Sequence, residues 1–440
     1  MVVRFLHGLN QGQAARSFFL DYPTPLSVLV TPPTPKDQRL LLSCLFFLQA
    51  HAIALWFVPF SSVLKAHGLE HLTAWAFATG AVAAFISPML TGALADRHLS
   101  ATVILRGLAL GMAALLFLTF WAVEHQWHSF AILGLVQLLQ FCFAPGWGVT
   151  TMLVLAQLPD PGRQFGAVRV WGTFGWMAAG PLVSLVLQAD GSTLCGFASA
   201  VAWLGVAGLT FGLPRVAPEA AKSPLNWKSL FGFETFVILR DPQHRALFLT
   251  AGLFSVPLAA FYPYTPMHLQ DLGVQKTSVA MAMGQIFEAV SMYAMAPLLT
   301  RFRLRSLFIF AISVALLRYL LFASNTLSGV LVGILLHGIC FSLFFIPAQI
   351  YIEHRISREL RFRAQALMTL LIGGFGNLFG CLGCGALRSV CTRNGITNWP
   401  MYWLVLAGAV ALVGAYFLLA YRPRGAGAGE LVAARTINAE

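Results

Sequence analysis

Charged side chains are rare in this sequence. Asp, Glu, Lys and Arg together make up 10% of the 440 residues, whereas soluble domains contain roughly 25%. Hydrophobic residues make up 58%, and runs of about 20 apolar residues, the length at which a helix crosses roughly 30 Å of hydrocarbon, recur along the chain. This composition excludes an ordinary soluble domain and predicts a protein that crosses a membrane many times.

Signals of catalysis, metal binding and secretion are missing as well. The sequence contains no nucleophile elbow, HExxH motif or P-loop, so it predicts neither an enzyme nor an ATP-driven pump. The seven cysteines lie mostly in apolar stretches, and the CxxC of Cys381 and Cys384 has no histidines at ligand spacing, so we expect no disulfide framework, metal or cofactor. Residues 1–37 lack the apolar core of a cleaved signal peptide and are expected to form a cytoplasmic tail.

Apolar runs bounded by charge, proline or glycine predict an all-α integral membrane protein with twelve transmembrane helices in two six-helix halves. The predicted spans are residues 40–61, 72–94, 101–123, 129–155, 168–188, 194–213, 246–267, 278–300, 304–323, 328–352, 364–387 and 399–421. The longest polar connection, 214–245, is expected to be a central cytoplasmic loop between the halves 38–213 and 246–421, and residues 422–440 a second cytoplasmic tail.

The formal net charge of +12 comes from short basic clusters between the apolar runs. Basic loops stay on the cytoplasmic side of membranes, so these clusters indicate topology and do not predict nucleic-acid binding. Loops after even-numbered spans carry most of the arginines, whereas the loops after odd-numbered spans carry only Lys65, Lys276, Arg388 and Arg393. The alternation predicts that both termini and the central loop are cytoplasmic.

The two halves contain a weak internal repeat. The segment "SPMLTGALADRHLSATVILRGLAL", from residue 87, is echoed by "APLLTRFRLRSLFIFAISVALLRYLL", from residue 296, and each joins the second and third spans of its half. Parallel repeats of six helices are the plan of transporters whose halves rock about a site near the middle of the membrane. The repeat therefore favours a secondary active transporter that works by alternating access.

Glu288 lies near the middle of span eight, and Gln285 lies one turn earlier on the same helix face. A charged group there costs about 2.5–3.5 kcal/mol on insertion scales, so it usually faces a cavity or a partner. Because desolvation favours the protonated form of a carboxyl group, Glu288 is a candidate proton carrier, and Gln285 a candidate ligand for a polar solute. Arg318 in span nine is a candidate for proton coupling, because its approach would favour the ionised form of Glu288 and its withdrawal the protonated form. The alternatives are that Glu288 is a structural glutamate paired with Arg318, and that Arg318 is a snorkelling residue.

Three residues of span five recur at helical spacing: Arg169, Thr173 and Trp176. An arginine, a hydroxyl and an aromatic ring on one face suit a solute with polar groups and a flat ring, although Arg169 could instead anchor the helix end. His337 in span ten is a second candidate for binding and proton transfer, since histidine changes charge between pH 5 and 8, or it is an interhelical hydrogen-bond former. Further residues could line the same cavity: Gln49, His51, Tyr262, Tyr264 and His268.

"GALADR", Gly92 to Arg97, resembles the loop signature of the major facilitator superfamily, although the second basic cluster of that signature is missing after His98. The resemblance implies the major facilitator fold. It also implies that Asp96 and Arg97 form a latch at the cytoplasmic face.

More narrowly, the chain resembles the nucleoside:proton symporters of that superfamily. The resemblance rests on "FLQAHAIALW", "VRVWGTFGW", "MGQIFEAVSMYAMAPLLTRF" and "GICFSLFF", and extends over about residues 38–421. It implies that Arg169, Thr173, Trp176, Gln285 and Glu288 bind a nucleoside. The sequence departs from the family pattern where His337 replaces a tyrosine and Ser342 replaces an aspartate.

These observations together predict proton-coupled uptake of nucleosides, or of a similar small ring-bearing solute, across a cell membrane. A bacterial inner membrane and a monomer are expected. A proton-linked sugar or aromatic-acid permease is the alternative, because "WGTFGW"-type stretches also occur in those relatives.

Overall fold

The structure, a computed structural model, describes residues 36–97, 100–214 and 233–422. The predicted tails 1–37 and 422–440 therefore lie almost entirely outside the described residues, as does most of the predicted central loop 214–245.

The first half is built from α-helices. They are α1 (Lys36–Phe57), α2 (Phe60–Ala66), α3 (Thr73–Arg97), α4 (Ala101–Glu124), α5 (Ser129–Gln157), α6 (Pro161–Pro181) and α7 (Leu194–Leu209). A π-helical segment, Leu182–Val186, continues α6, and 3-10 turns at Glu70–Leu72 and Thr210–Gly212 adjoin α3 and α7. Local sequence explains the helix starts: Asp160 caps α6 by accepting a hydrogen bond from the backbone N–H of Arg163, and Pro161 occupies the first turn.

The second half has the same plan with more breaks. Its helices are α8 (Pro242–Leu258), α9 (Phe261–Asp271), α10 (Thr277–Ala282), α11 (Gly284–Tyr293), α12 (Met295–Arg301), α13 (Leu304–Ala323), α14 (Leu327–Arg355), α15 (Arg358–Thr369), α16 (Asn377–Cys391) and α17 (Trp399–Ala420). A 3-10 helix, Phe233–Arg240, precedes α8, and a π-helical segment, Leu370–Gly376, joins α15 to α16. A small hairpin pairs Thr392–Arg393 with Ile396–Thr397.

Among the described residues, nine helices are long and apolar enough to cross a membrane. A tenth pass consists of Thr277–Tyr293 and Met295–Arg301, which meet at a bend of 52°. Helix α3, and α6 with its π-helical continuation, occupy the second and fifth places in the order, so the arrangement is consistent with the twelve predicted spans. The predicted span 278–300 is correct in position, but it is bent rather than straight.

We call the end of the bundle that carries the α2–α3, α9–α10 and α16–α17 connections the distal end, and the opposite end, which carries Arg422, the proximal end. The described contacts between the halves lie toward the distal end and the middle: α2 packs on α9, α6 on α10 and α11, and α3 on α16. Gly180 of α6 allows this approach, because a Cβ atom there would lie 2.6 Å from the carbonyl oxygen of Ser278. The facing surfaces of the two halves therefore meet around α6 and α11, the helices with the predicted binding residues.

Candidate functional site

The predicted stripe on α6 faces the protein interior. Arg169, Thr173 and Trp176 are all half-buried. The alternate face carries large side chains that are 39 to 48% exposed and point toward lipid: Val170, Trp171 and Phe174. The helical period thus separates a polar, ligand-competent face from a membrane face.

Arg169 is held in place by aromatic rings of the same half. Its guanidinium carbon lies 4.4 Å from the centre of the Trp147 ring and 5.6 Å from that of the Phe46 ring. A cation over the face of a tryptophan is attracted by the ring quadrupole. Sequence reasoning missed Trp147; the only signal was an aromatic residue inside the "APGWG" stretch of an apolar span.

Glu288 and Gln285 come from the other half and face this arginine. Gln285 is 8% exposed, and it lies one turn before Glu288 on α11. The charges of Glu288 and Arg169 interact across the boundary between the halves. Among the described residues Glu288 forms no ion pair with Arg318, the partner considered above; α11 packs against α6 as well as α14, which places Arg169 on the other side of the carboxylate.

Arg318 has a different partner. It is fully buried on α13, and its Nη1 hydrogen-bonds Nδ1 of His337 on α14. The guanidinium carbon also lies 4.4 Å from the centre of the Tyr319 ring and 5.4 Å from that of Phe261. The snorkelling alternative is therefore wrong, since the guanidinium is enclosed by protein.

A cluster of aromatic rings connects these two groups. Trp176 of one half lies 6.2 Å from Tyr262 of the other, and Phe57 lies 5.2 Å from Tyr262, centre to centre. Tyr262 in turn lies 6.2 Å from the ring of His337 and is within electrostatic reach of Glu288. We call Phe57, Trp176 and Tyr262 the aromatic cluster; such faces can stack on a flat ring.

The structure does not bring every predicted residue into this region. Tyr264 packs on Tyr402 of α17, with ring centres 5.5 Å apart. Gln49 is fully buried beside Gly146 in the first half, and both of its amide atoms lack a hydrogen-bond partner within the described residues. His51 hydrogen-bonds the carbonyl oxygen of Gly175.

Other predicted positions have local roles or lie outside the description. His268 is buried between Trp403 and Asn325, to both of which it is hydrogen-bonded. Ser342 is fully buried and donates a hydrogen bond to the carbonyl oxygen of Gly338 in its own helix, at 2.7 Å. The side chains of Asp96 and Arg97, the predicted latch, are outside the described part of the chain.

A polar contact that the sequence did not reveal closes the distal end. The Oδ1 atom of Asp190 accepts hydrogen bonds from Ser184 Oγ (3.1 Å) in its own half, and from Thr277 Oγ1 (3.1 Å) and the Ser278 backbone N–H (2.6 Å) in the other half. We call these four residues the distal clasp. Lys65 also pairs with Asp271 across the halves. Asp190 is 6% exposed, so this carboxylate is satisfied by donors rather than by water.

Comparison of the sequence with known proteins identifies relatives that transport solutes across membranes. The family model described as "Nucleoside H+ symporter" matches residues 37–426. "Putative nucleoside transporter YegT" of Escherichia coli (strain K12) is 29% identical over 402 residues, covering 87% of this chain and 93% of that protein. "Nucleoside permease NupG" of the same organism is 24% identical over 361 residues, covering 78% and 85%.

Comparison with solved structures tests the predicted fold. The crystal structure of the nucleoside transporter NupG superposes with a TM-score of 0.79 at 23% identity, over 88% of this chain and 100% of that one. The predicted major facilitator fold is confirmed. Since the family model covers nearly the whole chain, the predicted family is confirmed too, and the protein, a multi-pass membrane transporter, belongs to the nucleoside H+ symporter family.

Proposed function

We propose that the protein takes up a nucleoside together with a proton, and that the solute binds where α6 and α11 face each other. One observation carries this proposal: Arg169 of the first half lies within electrostatic reach of Glu288 of the second half, beside the aromatic cluster. A solute held by both halves is what alternating access requires, because the halves must move about it.

The chemistry of the lining matches the parts of a nucleoside. Trp176 and Tyr262 offer ring faces to a base. Gln285 can donate and accept hydrogen bonds, Thr173 offers a hydroxyl, and the carboxylate of Glu288 can accept bonds from sugar hydroxyls. Two of the curated relatives are named as nucleoside transporters or permeases, which supports the same substrate class.

We assign proton coupling to Glu288. When ionised, Glu288 attracts Arg169 across the halves; when protonated, it loses that attraction. Protonation therefore weakens a contact between the two moving parts, and a solute that donates hydrogen bonds to the carboxylate competes for the same atoms. Proton binding and solute binding are linked through this single group.

The orientation follows from charge sidedness. We propose a bacterial inner membrane, a monomer, cytoplasmic termini and a cytoplasmic central loop near Lys222 and Arg245, with Asp96 and Arg97 as a cytoplasmic latch. In that orientation the distal clasp faces the periplasm. The structure then corresponds to a state closed toward the periplasm.

Uptake into proteoliposomes tests the function. Under an inward proton gradient the unmodified protein should concentrate nucleosides, and a panel of sugars and aromatic acids should neither be taken up nor compete; concentration of those solutes instead would favour the alternative permease. Glu288→Gln keeps the size and hydrogen bonding of the side chain but removes the titratable group. We expect it to abolish accumulation while preserving nucleoside exchange.

A matched control is Glu353→Gln. Glu353 lies near the proximal end of α14 and pairs with Arg361, at 2.8 Å, outside the proposed site. This variant should still accumulate nucleoside. Accumulation by Glu288→Gln at the rate of the control would refute Glu288 as the proton carrier.

A further inference from the structure

We propose that Arg318 fixes His337 in the neutral tautomer that carries its proton on Nε2, so that α14 presents a hydrogen-bond donor to the solute and not a second proton carrier. The identity of the solute rests on the proposed function. The state of the histidine does not, and it can be measured without any solute.

The tautomer follows from the hydrogen bond between the two side chains. Arg318 Nη1 contacts His337 Nδ1, and a guanidinium has five N–H donors and no acceptor. Nδ1 must therefore accept, so it carries no proton. The single proton of the neutral ring is then on Nε2.

Protonation of Nδ1 would break this contact. It would place two cations at hydrogen-bonding distance, in a site where Arg318 is fully buried and His337 is 6% exposed. Repulsion between like charges increases when water is excluded. Nε and Nη2 of Arg318 already lack a hydrogen-bond partner within the described residues, so no carboxylate is hydrogen-bonded to those atoms to offset a second positive charge.

The other groups around the His337 ring do not supply a negative charge that would stabilise an imidazolium. Phe261 stacks on His337 with ring centres 3.6 Å apart and planes 15° apart, and Tyr262 presents its ring at 85°. On α14 itself the nearby thiol is Cys340. Glu288 lies on α11, which packs against α14, but its carboxylate interacts with Arg169 and Gln285.

The remaining ring nitrogen, Nε2, makes no hydrogen bond among the described residues, and the neighbouring Tyr262 ring, 6.2 Å away, belongs to the aromatic cluster. A base stacked in that cluster would bring its acceptor atoms close to this donor. Arg318 touches no solute itself; it is a positioning residue that acts through His337.

Nitrogen NMR of protein labelled with 15N-histidine tests the tautomer directly. The chain has 11 histidines, and the His337 signals are identified as those lost in His337→Gln. His268 is an internal reference, because Trp403 Nε1 donates to its Nδ1 at 3.0 Å and so fixes the same tautomer through a neutral donor. We expect His337 to remain neutral and Nε2-protonated from pH 5 to pH 8; an imidazolium or an Nδ1-protonated ring in the unmodified protein would overturn the proposal.

Variants test the role of Arg318 through nucleoside affinity as a function of pH. Arg318→Met removes the donor, so binding should weaken roughly three- to tenfold, the value of one hydrogen bond, and should become pH-dependent as His337 begins to titrate. Arg318→Lys can still donate to Nδ1 and should restore a flat pH profile. His337→Gln cannot titrate, so combining it with Arg318→Met should remove the pH dependence that Arg318→Met introduces alone. A pH-dependent profile in the folded double variant, or a flat profile in folded Arg318→Met, would contradict the assignment.

Discussion

Removal of the Asp190 carboxylate should open the distal end. In Asp190→Ala the two hydrogen bonds that this carboxylate accepts from the other half disappear, from Thr277 at 3.1 Å and from the Ser278 N–H at 2.6 Å. Hydrogen bonds to charged groups contribute about 1.5–3 kcal/mol each relative to water. Taking the lower value for both gives a shift of about 3 kcal/mol against the closed state, on the order of a hundredfold in the ratio of closed to open populations.

Asp190→Asn provides a graded comparison. The amide keeps an acceptor oxygen in the same place but carries no charge, and hydrogen bonds between neutral groups are about half as strong as charge-assisted ones. We therefore expect an intermediate shift of about 1–2 kcal/mol. If the alanine and asparagine variants behaved alike, the negative charge would not be the important feature.

Pulsed EPR distances between nitroxides measure the opening. Suitable positions at the distal end are Trp127→Cys in the first half, 42% exposed, and Ile396→Cys in the second half, 77% exposed, in a protein whose native cysteines are replaced. Longer distances should gain population in the order unmodified, asparagine, alanine. A folded Asp190→Ala protein with an unchanged distance distribution would refute the clasp.

Three further variants follow from the structure. Gly180→Leu should also open the distal end, because a Cβ atom there would lie 2.6 Å from the Ser278 carbonyl oxygen; unchanged distances in the same EPR experiment would contradict this. Trp147→Leu removes the ring 4.4 Å from the Arg169 guanidinium. We expect calorimetry to show a loss of about 0.5–2 kcal/mol in the free energy of nucleoside binding. The control Trp171→Leu, on the exposed face of α6, should bind nucleoside with unchanged affinity. Ser342→Ala should keep coupled uptake within about twofold, since its hydroxyl bonds only its own helix and one such bond is of small value; loss of accumulation would place Ser342 on the proton path.

Much of the fold could be predicted from the sequence because span length depends on membrane thickness. The run predicted at 304–323 coincides with Leu304–Ala323, and that at 129–155 is two residues short of Ser129–Gln157 at its end. The bend after Tyr293 and the π-helical segment Leu182–Val186 were not predicted. Hydropathy measures how apolar a stretch is, and it does not indicate which carbonyl each backbone N–H bonds.

Sequence could predict the relative positions of candidate site residues only where those residues lie on the same helix. Helical spacing placed Arg169, Thr173 and Trp176 on one face, and Gln285 beside Glu288, as the structure has them. The partner of Glu288 depends on which helices are neighbours, and no periodicity within a single span contains that information. For the same reason Asp190, in a short connection far in sequence from Thr277, was not recognised.

The arrangement of charge explains why the departures from the family pattern are compatible with coupled transport. Ser342 carries no charge, yet Arg318 remains on the facing helix; its guanidinium is accommodated by the face of Tyr319 and by a neutral His337 instead of a carboxylate. That pair lies within one half and is undisturbed when the halves move. Glu288 and Arg169 lie in different halves, so their interaction changes both with protonation and with rocking. In the proposed function the Glu288 carboxylate links the proton to the movement, and a second carboxylate on α14 is not required.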